Sequence, residues 1–409
     1  MKSWKTSYTA LLIAETLAMI GFGLSMPVIP LFLEDDIGIT DPVKLKMWVG
    51  LIQSCAAVTL AIFAPVWGHL ADTYSRRAML LRAMFGGAIV ISLMAFVNSP
   101  WQLLVLRSIQ GCLTGTVAAA TVLAAGISPA AQVAFTLGLL QTGVSIGNSL
   151  GPLVGGVLSD FAGYRVAFFS TGLTLALAGF IVLKWVEDIK KPAQTGEKKK
   201  LTFFPDVRPI FASPLLVTLM LVTFGLQASA NAASPMLPLF LKELARNVTE
   251  GPTYVGSSTG IVLGVGAAFT ALAAALVGKF AGRSGYRLTL LVCLCGGALL
   301  TLPQTFVTNM YQLTALRALS SFFIGGCIPV VNAIIAVSAD KNNQGAIYGI
   351  NSSVSSAGAA LGPMIGSAAA MISYRTVFVA AAIILGISAF GVRKRSLFEG
   401  AGKGNDAKS

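Results

Sequence analysis

Glu15 is the residue of this chain best suited to proton chemistry, because it is the one acidic residue well inside any apolar segment. It follows the start of an apolar run, residues 8–33, by about seven residues, or roughly 10 Å along a helix. An ionised carboxylate in a bilayer costs several kcal/mol unless it is paired or hydrated. Glu15 should therefore hold a proton when occluded, release it to water, and attract cations. Alternatively, it reaches the membrane interface or a watery vestibule and has no role.

Arg107 and Arg317 also fall inside apolar segments. A guanidinium stays protonated in proteins, so neither residue carries the proton itself. Arg107 could tune a neighbouring carboxylate or hold a polar network whose partners change between conformations. Alternatively, each arginine bonds backbone carbonyls near a helix end, or both line a cavity that accepts anions.

The composition predicts the elements that position these residues. Of the 409 residues, 55% are apolar and 11% are charged, and the mean hydropathy is +0.78. Soluble domains carry about 25% charged residues, so the composition indicates a bilayer environment. Twelve apolar segments, numbered below as spans one to twelve, cover residues 8–33, 47–70, 78–97, 101–125, 132–158, 166–186, 214–241, 255–280, 288–306, 311–337, 345–371 and 377–392. We predict an all-α membrane protein with twelve transmembrane helices.

The two halves of the chain repeat one another. Short patterns recur at an offset of 208 or 210 residues: Trp101-Gln102-Leu103 as Tyr311-Gln312-Leu313, Tyr164-Arg165 as Tyr374-Arg375, and Pro30-Leu31-Phe32-Leu33 as Pro238-Leu239-Phe240-Leu241. Six spans separate the copies, so both copies run in the same direction. This is a parallel duplication of six-helix bundles, typical of transporters with a substrate site between the halves. The predicted domains are residues 1–186 and 214–409, joined by a cytoplasmic linker at 187–213.

The basic residues predict the topology. Of the 29 lysines and arginines, 21 lie on one side of the membrane and two, Arg107 and Arg317, lie within spans. The other six lie on the opposite side: Lys44, Lys46, Arg165, Lys242, Arg246 and Arg375. The positive-inside rule makes that richer side cytoplasmic, together with both termini. The net charge of +13 then indicates membrane topology and not nucleic-acid binding. Short loops and no targeting segment predict a bacterial inner membrane protein.

Three motifs carry a resemblance to a known family. Gly68–Arg77 resembles the loop 2–3 motif of the major facilitator superfamily, although Thr73 and Ser75 depart from it; Leu106–Gly111 resembles the fourth-span motif of proton-coupled members. In span five the spacing of the antiporter motif is reproduced by Gly138, Gly147, Gly151, Pro152, Gly155 and Gly156. The chain thus resembles the twelve-helix drug:proton antiporter branch.

The resemblance implies roles for these residues. It implies alternating access, with drug efflux in exchange for protons, and a proton-coupling role for Arg107 beside that argued above for Glu15. It implies a gating role for Asp72, Arg76, Arg77, Gly147, Gly151, Pro152 and Gly155. Spans one, four, seven and ten should face the cavity, and the candidate substrate contacts are Phe22, Gln110, Gln141, Gln227, Asn231, Asn332 and Arg317. The polar members could instead bond helix to helix.

Two functions other than drug transport are suggested by single features of the sequence. The G-x-S-x-G pattern of hydrolases occurs at Gly143–Gly147 and Gly256–Gly260, but it needs a strand-to-helix turn and a histidine base. Both copies lie in predicted helices, and the single histidine, His69, lies at the other membrane face from the outer half of span five. We therefore predict no enzyme activity. A proton-linked transporter of a sugar, organic anion or other metabolite remains the alternative, and the sequence does not identify the substrate.

The expected partners are a small-molecule substrate, protons and the lipid bilayer, with no nucleic acid, cofactor or metal, and a monomer is expected. No nucleotide-binding loop occurs, so an ion gradient should drive transport. The first half keeps Glu15, Asp72, Arg107 and the complete glycine motif, and the second half has lost most of these features. Coupling should therefore lie in the N-terminal half, with more of the substrate surface in the C-terminal half.

Overall fold

A computed structural model describes residues 4–73, 75–188, 213–246, 254–338 and 344–393. Regular secondary structure in these ranges is helical. The α-helices are α1 Trp4–Leu24, α2 Val28–Asp35, α3 Pro42–Thr73, α4 Arg76–Met94, α5 Pro100–Leu113, α6 Thr116–Ile127, α7 Val133–Ala162, α8 Tyr164–Trp185, α9 Pro214–Ala233, α10 Leu237–Arg246, α11 Val255–Ser284, α12 Tyr286–Thr301, α13 Met310–Ser338, α14 Gln344–Ile372 and α15 Thr376–Val392.

The prediction of an all-helical membrane protein is confirmed. Within the described ranges, eleven helical segments are long and apolar enough to cross a membrane. The twelfth predicted span is α15, an apolar helix of 17 residues, about 25 Å long at 1.5 Å per residue. Three spans are divided, since spans one, four and seven consist of α1 with α2, α5 with α6, and α9 with α10.

Proline accounts for the interruptions in spans one and seven. Pro27 immediately precedes α2, and Pro235 lies in the short 3-10 turn between α9 and α10. A proline has no amide hydrogen to bond the preceding turn, so a continuous helix is disfavoured at both positions. The two prolines are 208 residues apart, the offset of the Pro-Leu-Phe-Leu pattern, so the interruption is part of the duplication.

The chain forms two compact units. The first comprises Met1–Phe203 with Gly251–Gly264, and the second comprises Phe204–Glu250 with Val265–Ser409. The beginning of α11 therefore belongs to the first unit. The predicted linker, 187–213, lies almost wholly outside the described residues, so the linker remains a prediction.

Two internal contacts of the first unit are repeated in the second, in agreement with the duplication. The first is a hydrogen bond from an arginine guanidinium to a backbone carbonyl: Arg165 donates to Ala95 at 3.0 Å, and Arg375 donates to Thr305 at 2.8 Å. The second is an edge-to-face ring pair: the ring centroids are 5.2 Å apart for Phe32 and Phe168, and 5.3 Å apart for Phe240 and Phe378. The arginine of the repeated Tyr-Arg pattern therefore serves both units in the same way. In each unit it joins the N-terminal end of the sixth span to the C-terminal end of the third span.

Candidate functional site

Glu15 lies in the interior of the first unit. It is in α1, which packs against α6, α7 and α8, and its side chain is 0% exposed. One carboxyl oxygen, Oε1, accepts a hydrogen bond of 3.0 Å from the hydroxyl of Thr116, and the other, Oε2, is buried with no hydrogen-bond partner. In this conformation Glu15 does not reach the protein surface. It is a buried carboxyl group with one free oxygen.

Span four is broken between Glu15's hydrogen-bond partner and Arg107. Thr114 is extended, Gly115 has φ +119° and ψ 38°, and α6 begins at Thr116. Residues with a Cβ rarely adopt this φ, so glycine is needed at position 115. The span predicted over 101–125 is therefore present but divided, and the break makes Thr116 the first residue of a new helix.

Arg107 is the centre of a polar cluster in α3 and α5. Its Nη1 donates to the amide oxygen of Gln110 at 2.8 Å, and its Nη2 donates to the amide oxygen of Gln53 at 3.1 Å. The guanidinium is buried, its Nε has no partner, and it forms no ion pair with Glu15. Gln110, predicted as a substrate contact, is thus a partner of Arg107 in this conformation.

Gly111 brings the two helices of this cluster together. A Cβ at Gly111 would lie 2.3 Å from the carbonyl oxygen of Ala56 and 2.0 Å from the hydroxyl of Thr59. The absence of a side chain at this position lets α5 approach the backbone of α3. That approach places Gln53 within reach of Arg107.

Replacing Arg107 by lysine should reduce the initial rate of proton-driven transport about tenfold or more. One ammonium group does not reproduce the planar fork that bonds both amides, and each hydrogen bond to a charged group contributes about 1.5–3 kcal/mol. The rate is measured in inside-out vesicles at equal protein levels. Arg317→Lys is the matched control: Arg317 donates to the hydroxyl of Ser234 at 3.3 Å, and its replacement should have a smaller effect. Equal losses in the two variants would contradict a distinct role for Arg107.

Four glycines of span five, spaced four residues apart, form one face of α7. A Cβ added at any of the four would lie too close to an atom of α1: at 2.4 Å for Gly143 and Gly147, 2.6 Å for Gly151 and 2.2 Å for Gly155. Pro152 lies on the same face, with its Cδ 2.9 Å from a Cβ built at Gly23. The glycines therefore let α7 approach α1, the helix that carries Glu15, closely. The gating role of these residues remains a prediction.

The second unit has an equivalent glycine face, which the sequence analysis missed. A Cβ added to any of three glycines of α14 would lie too close to a carbonyl oxygen of α9: at 2.5 Å for Gly358, 2.8 Å for Gly362 and 2.0 Å for Gly366. The expectation that the second half lacks this motif was therefore incomplete. These glycines follow Gly147, Gly151 and Gly155 by 211 residues, one more than the offset of the neighbouring repeats, so a comparison at 210 pairs them with other residues.

Arg76 and Arg77 bond to helix carbonyls. Arg76 donates to the backbone oxygen of Val122 in α6 at 3.3 Å, and Arg77 donates to that of Leu183 in the last turn of α8. A positive charge is favourable at the negative end of a helix, so the Arg77 bond stabilises the end of α8, whereas Val122 lies in the middle of α6. The side chain of Asp72 lies outside the described residues, so the predicted gating cluster remains a prediction.

Asp160 is a polar residue of the first unit that the sequence analysis did not select. Its two carboxylate oxygens accept hydrogen bonds from the backbone amides of Gly256 at 2.9 Å and Ser257 at 2.7 Å, in the first turn of α11. A Cβ at Gly256 would lie 2.7 Å from Asp160 Oδ1. Asp160 therefore caps a helix that is remote in sequence. An acidic residue just after span five was the available signal.

A cavity of about 260 Å³ lies in the second unit. It is lined by Thr223, Leu226, Gln227, Ile328, Val331, Asn332, Tyr348, Asn351, Ser352 and Ser355, none of which is charged. Two hydrogen bonds of 2.8 Å tie its walls together, from Thr223 to Asn351 and from Gln227 to Ser355. The amide and hydroxyl groups come from α9, α13 and α14, beside apolar side chains. The cavity therefore offers polar contacts and an apolar surface together.

The predicted substrate residues divide between the two units. Gln227 and Asn332 line the cavity of the second unit, and Asn231 donates to the backbone oxygen of Gln227 at 2.8 Å. Phe22 and the exposed Gln141 belong to the first unit. Tyr348, whose hydroxyl donates to the backbone oxygen of Asn332 at 2.8 Å, was missed.

The polar residues of α14 were not among the predicted substrate contacts, although Asn351 is a polar residue inside a predicted span. Asn351 and Ser355 are four residues apart, as are Thr223 and Gln227 in α9. Residues at this spacing lie on one face of a helix. That spacing could have shown that each pair shares a helix face, but not that the two faces meet.

Comparison with known families decides the relationship. The model of the Major Facilitator Superfamily matches residues 11–303 and 219–403, so it matches both halves of the duplication. The chain belongs to the Major Facilitator Superfamily. The resemblance predicted from the motifs of this superfamily is confirmed, and the protein is a multi-pass membrane protein.

Curated relatives in the superfamily cover nearly the whole chain. A multidrug resistance protein MdtG of Enterobacter lignolyticus is 34% identical over 385 residues, 94% of this chain and 90% of the relative. The MdtG protein of Salmonella arizonae is 33% identical over 386 residues, 94% of each chain.

Solved structures of transporters share the fold. The crystal structure of the nucleoside transporter NupG has a TM-score of 0.78 and 14% identity, covering 96% of this chain and 99% of the other. A bacterial homologue of the human lysosomal transporter Spinster, in an inward-facing and unoccupied conformation, has a TM-score of 0.77 and 17% identity, covering 96% of each chain. At these identities the likeness concerns the fold alone.

Proposed function

We propose that this protein is a secondary active transporter that exports small amphipathic or cationic compounds, drugs among them, in exchange for protons. The observation that carries the proposal is Glu15, a fully buried carboxyl group with one unpartnered oxygen, in a superfamily chain similar to multidrug resistance proteins over 94% of its length. Such a group binds a proton when it is enclosed and releases it when water reaches it. Alternating access would provide the two conditions in turn.

The two units have different roles in this proposal. The first unit holds the proton at Glu15, and the buried Arg107 cluster keeps a fixed positive charge in the same unit. The second unit binds the substrate in the cavity lined by Gln227, Asn332 and Tyr348. Asp72, Arg76, Arg77 and the glycine face of α7 control which side of the membrane is open.

We place the protein in the bacterial inner membrane with both termini cytoplasmic, acting as a monomer and without enzyme activity. The excess of lysine and arginine on the side of the termini supports this orientation. A cysteine-accessibility experiment on residue 5 and residue 165 tests it. Membrane-impermeant maleimide added to whole cells should label Arg165→Cys and leave Lys5→Cys unlabelled.

Efflux of a cationic dye from cells tests the proposed direction and energy source. Cells producing the protein should retain less dye than cells carrying the empty vector, and a protonophore should abolish the difference. In proteoliposomes, an imposed proton gradient without ATP should drive the dye against its own gradient. Dye efflux that persists after the proton gradient has collapsed would overturn proton exchange.

The uncharged cavity of the second unit favours a second candidate, a proton-linked transporter of a neutral polar solute. Amides and hydroxyls bind the hydroxyl groups of such a solute as well as the polar atoms of a drug. The two proposals differ in the direction of net transport. Accumulation of a sugar or related neutral solute in proteoliposomes, driven by protons moving in the same direction, would favour this candidate.

Substitution of the cavity amides should weaken substrate binding and leave the maximum rate nearly unchanged. Gln227→Ala and Asn351→Ala each remove groups that line the cavity, and each should raise the KM for the transported dye about three- to tenfold, since one hydrogen bond contributes about 0.5–1.5 kcal/mol. The matched control is Gln132→Ala, an exposed amide of the first unit that is not a predicted substrate contact. A KM that changes as much in Gln132→Ala as in the cavity variants would contradict the assignment of the cavity.

A further inference from the structure

The break in span four lies directly beside Glu15. The hydroxyl of Thr116 donates to Glu15 Oε1 at 3.0 Å, and both side chains are buried, at 2% and 0% exposure. Thr116 is the first residue of α6, a helix of 12 residues. Gly115, at φ +119°, immediately precedes it. The break therefore determines which residue contacts Glu15.

The beginning of a helix is a favourable environment for a negative charge. The first amides of α6 have no partner within the helix, and the helix dipole is positive at this end. A carboxylate bonded to the first residue of α6 lies at that end. Both the hydroxyl and the helix terminus therefore favour the ionised form of Glu15.

A threonine hydroxyl also serves the protonated form. It donates to a carboxylate oxygen, and after rotation it accepts a hydrogen bond from a carboxylic acid. Glu15 therefore keeps its contact with Thr116 in either protonation state. A valine of the same shape offers neither bond.

We propose that Thr116, placed by the break at Gly115, is the positioning residue of Glu15 and adjusts the pH at which Glu15 exchanges its proton with water. The proposal rests on the proposed function of Glu15 as the proton carrier. It adds that the Thr116 hydroxyl stabilises the Glu15 carboxylate when the proton is absent. The proton moves between water and a Glu15 oxygen, and Thr116 gains or loses no atom.

No other charged group is bonded to Glu15. Among the helices packed against α1, α6 carries no titratable side chain, and α7 carries Asp160, which is bonded to the start of α11. The titratable groups of α8 are Tyr164, Arg165 and Lys184, and those of α1 besides Glu15 are Lys5 and Tyr8. None of these forms a hydrogen bond or ion pair with Glu15. Thr116 is the polar side chain that contacts it.

Thr116→Val and Thr116→Ser in the purified full-length protein test the proposal. Protonated buried carboxyl groups react with dicyclohexylcarbodiimide, so the fraction of Glu15 labelled at each pH, read by mass spectrometry, reports its protonation. Loss of the donor in Thr116→Val should move the labelling midpoint to higher pH by about one unit, and Thr116→Ser should restore it. The pH profile of dye transport in proteoliposomes should move in the same direction. Glu15→Gln is the control for labelling at other sites.

Gly115→Ala provides a second variant that leaves the Thr116 side chain in place. Because an alanine at φ +119° is strained, the start of α6 should shift, and the labelling midpoint should move as in Thr116→Val. Unchanged midpoints in both variants would overturn the proposal for Thr116, even where Glu15→Gln stops transport. Full proton-driven transport by Glu15→Gln would instead overturn the proposed function, so the two failures are distinguishable.

Discussion

Glu15→Gln should abolish proton-driven transport, reducing the initial rate by about a hundredfold to the level of leakage. Glutamine has nearly the volume of glutamate, and its amide oxygen still accepts the hydrogen bond of Thr116, so the packing of α1 is maintained. The amide binds no proton in the physiological range, so the cycle loses its coupling ion. Transport is measured in proteoliposomes with an imposed pH gradient.

Two controls separate loss of coupling from loss of structure. Substrate exchange between the two sides of the membrane at equal pH should persist in Glu15→Gln, since it needs no net proton movement. Glu243→Gln removes a carboxylate of α10 in the second unit and should leave the driven rate within about twofold of the unchanged protein. Undiminished proton-driven transport by Glu15→Gln would remove Glu15 from the mechanism.

Gly155→Ala should be strongly destabilising and should reduce transport with it. The new Cβ would lie 2.2 Å from the carbonyl oxygen and 2.5 Å from the Cα of Leu24, and backbone atoms do not move aside as a flexible side chain does. Overpacking of this kind costs about 1–3 kcal/mol, occasionally more. The midpoint of thermal unfolding in detergent should fall by about 5 °C or more.

The chain supplies a matched control for this substitution within the same helix. Gly138 is also part of the span-five motif, but a Cβ there would meet nothing within 4 Å. Because alanine favours the helix over glycine by about 1 kcal/mol, Gly138→Ala should be neutral or slightly stabilising. Gly366→Ala, with its Cβ 2.0 Å from the oxygen of Ala232, should resemble Gly155→Ala. Destabilisation by Gly138→Ala as large as by Gly155→Ala would mean that contact with α1 is not the cause.

The spans and the duplication were predictable because bilayer burial requires long apolar segments, and because repeated motifs survive in both halves. The Tyr-Arg pattern at residues 164 and 374 predicted the repeat, and the structure explains it by the same arginine–carbonyl bond in each unit. Glu15 was identifiable since a carboxyl group is rare inside an apolar segment. These are properties of residue type and order along the chain.

Contacts between distant segments were not predictable in the same way. Thr116 is an ordinary residue in an apolar run. The break beside it depends on the positive φ of Gly115, and many glycines in the described residues do not have a positive φ. The pairing of Gln110 with Arg107 could be proposed from their spacing, but the participation of Gln53 depends on how α3 meets α5. The residues of α14 in the cavity required knowledge of which of its faces meets α9.

The uncharged lining of the cavity has a consequence for how the substrate range of this protein could change during evolution. Exchanging one short amide or hydroxyl side chain for another at Asn351, Ser352 or Ser355 leaves no buried charge unpaired, so single replacements there should be tolerated. The glycine face of α7 and the surroundings of Glu15 allow no such freedom. We therefore expect laboratory selection on a new compound to recover substitutions mainly among the cavity residues of the second unit, with the proton site of the first unit unchanged.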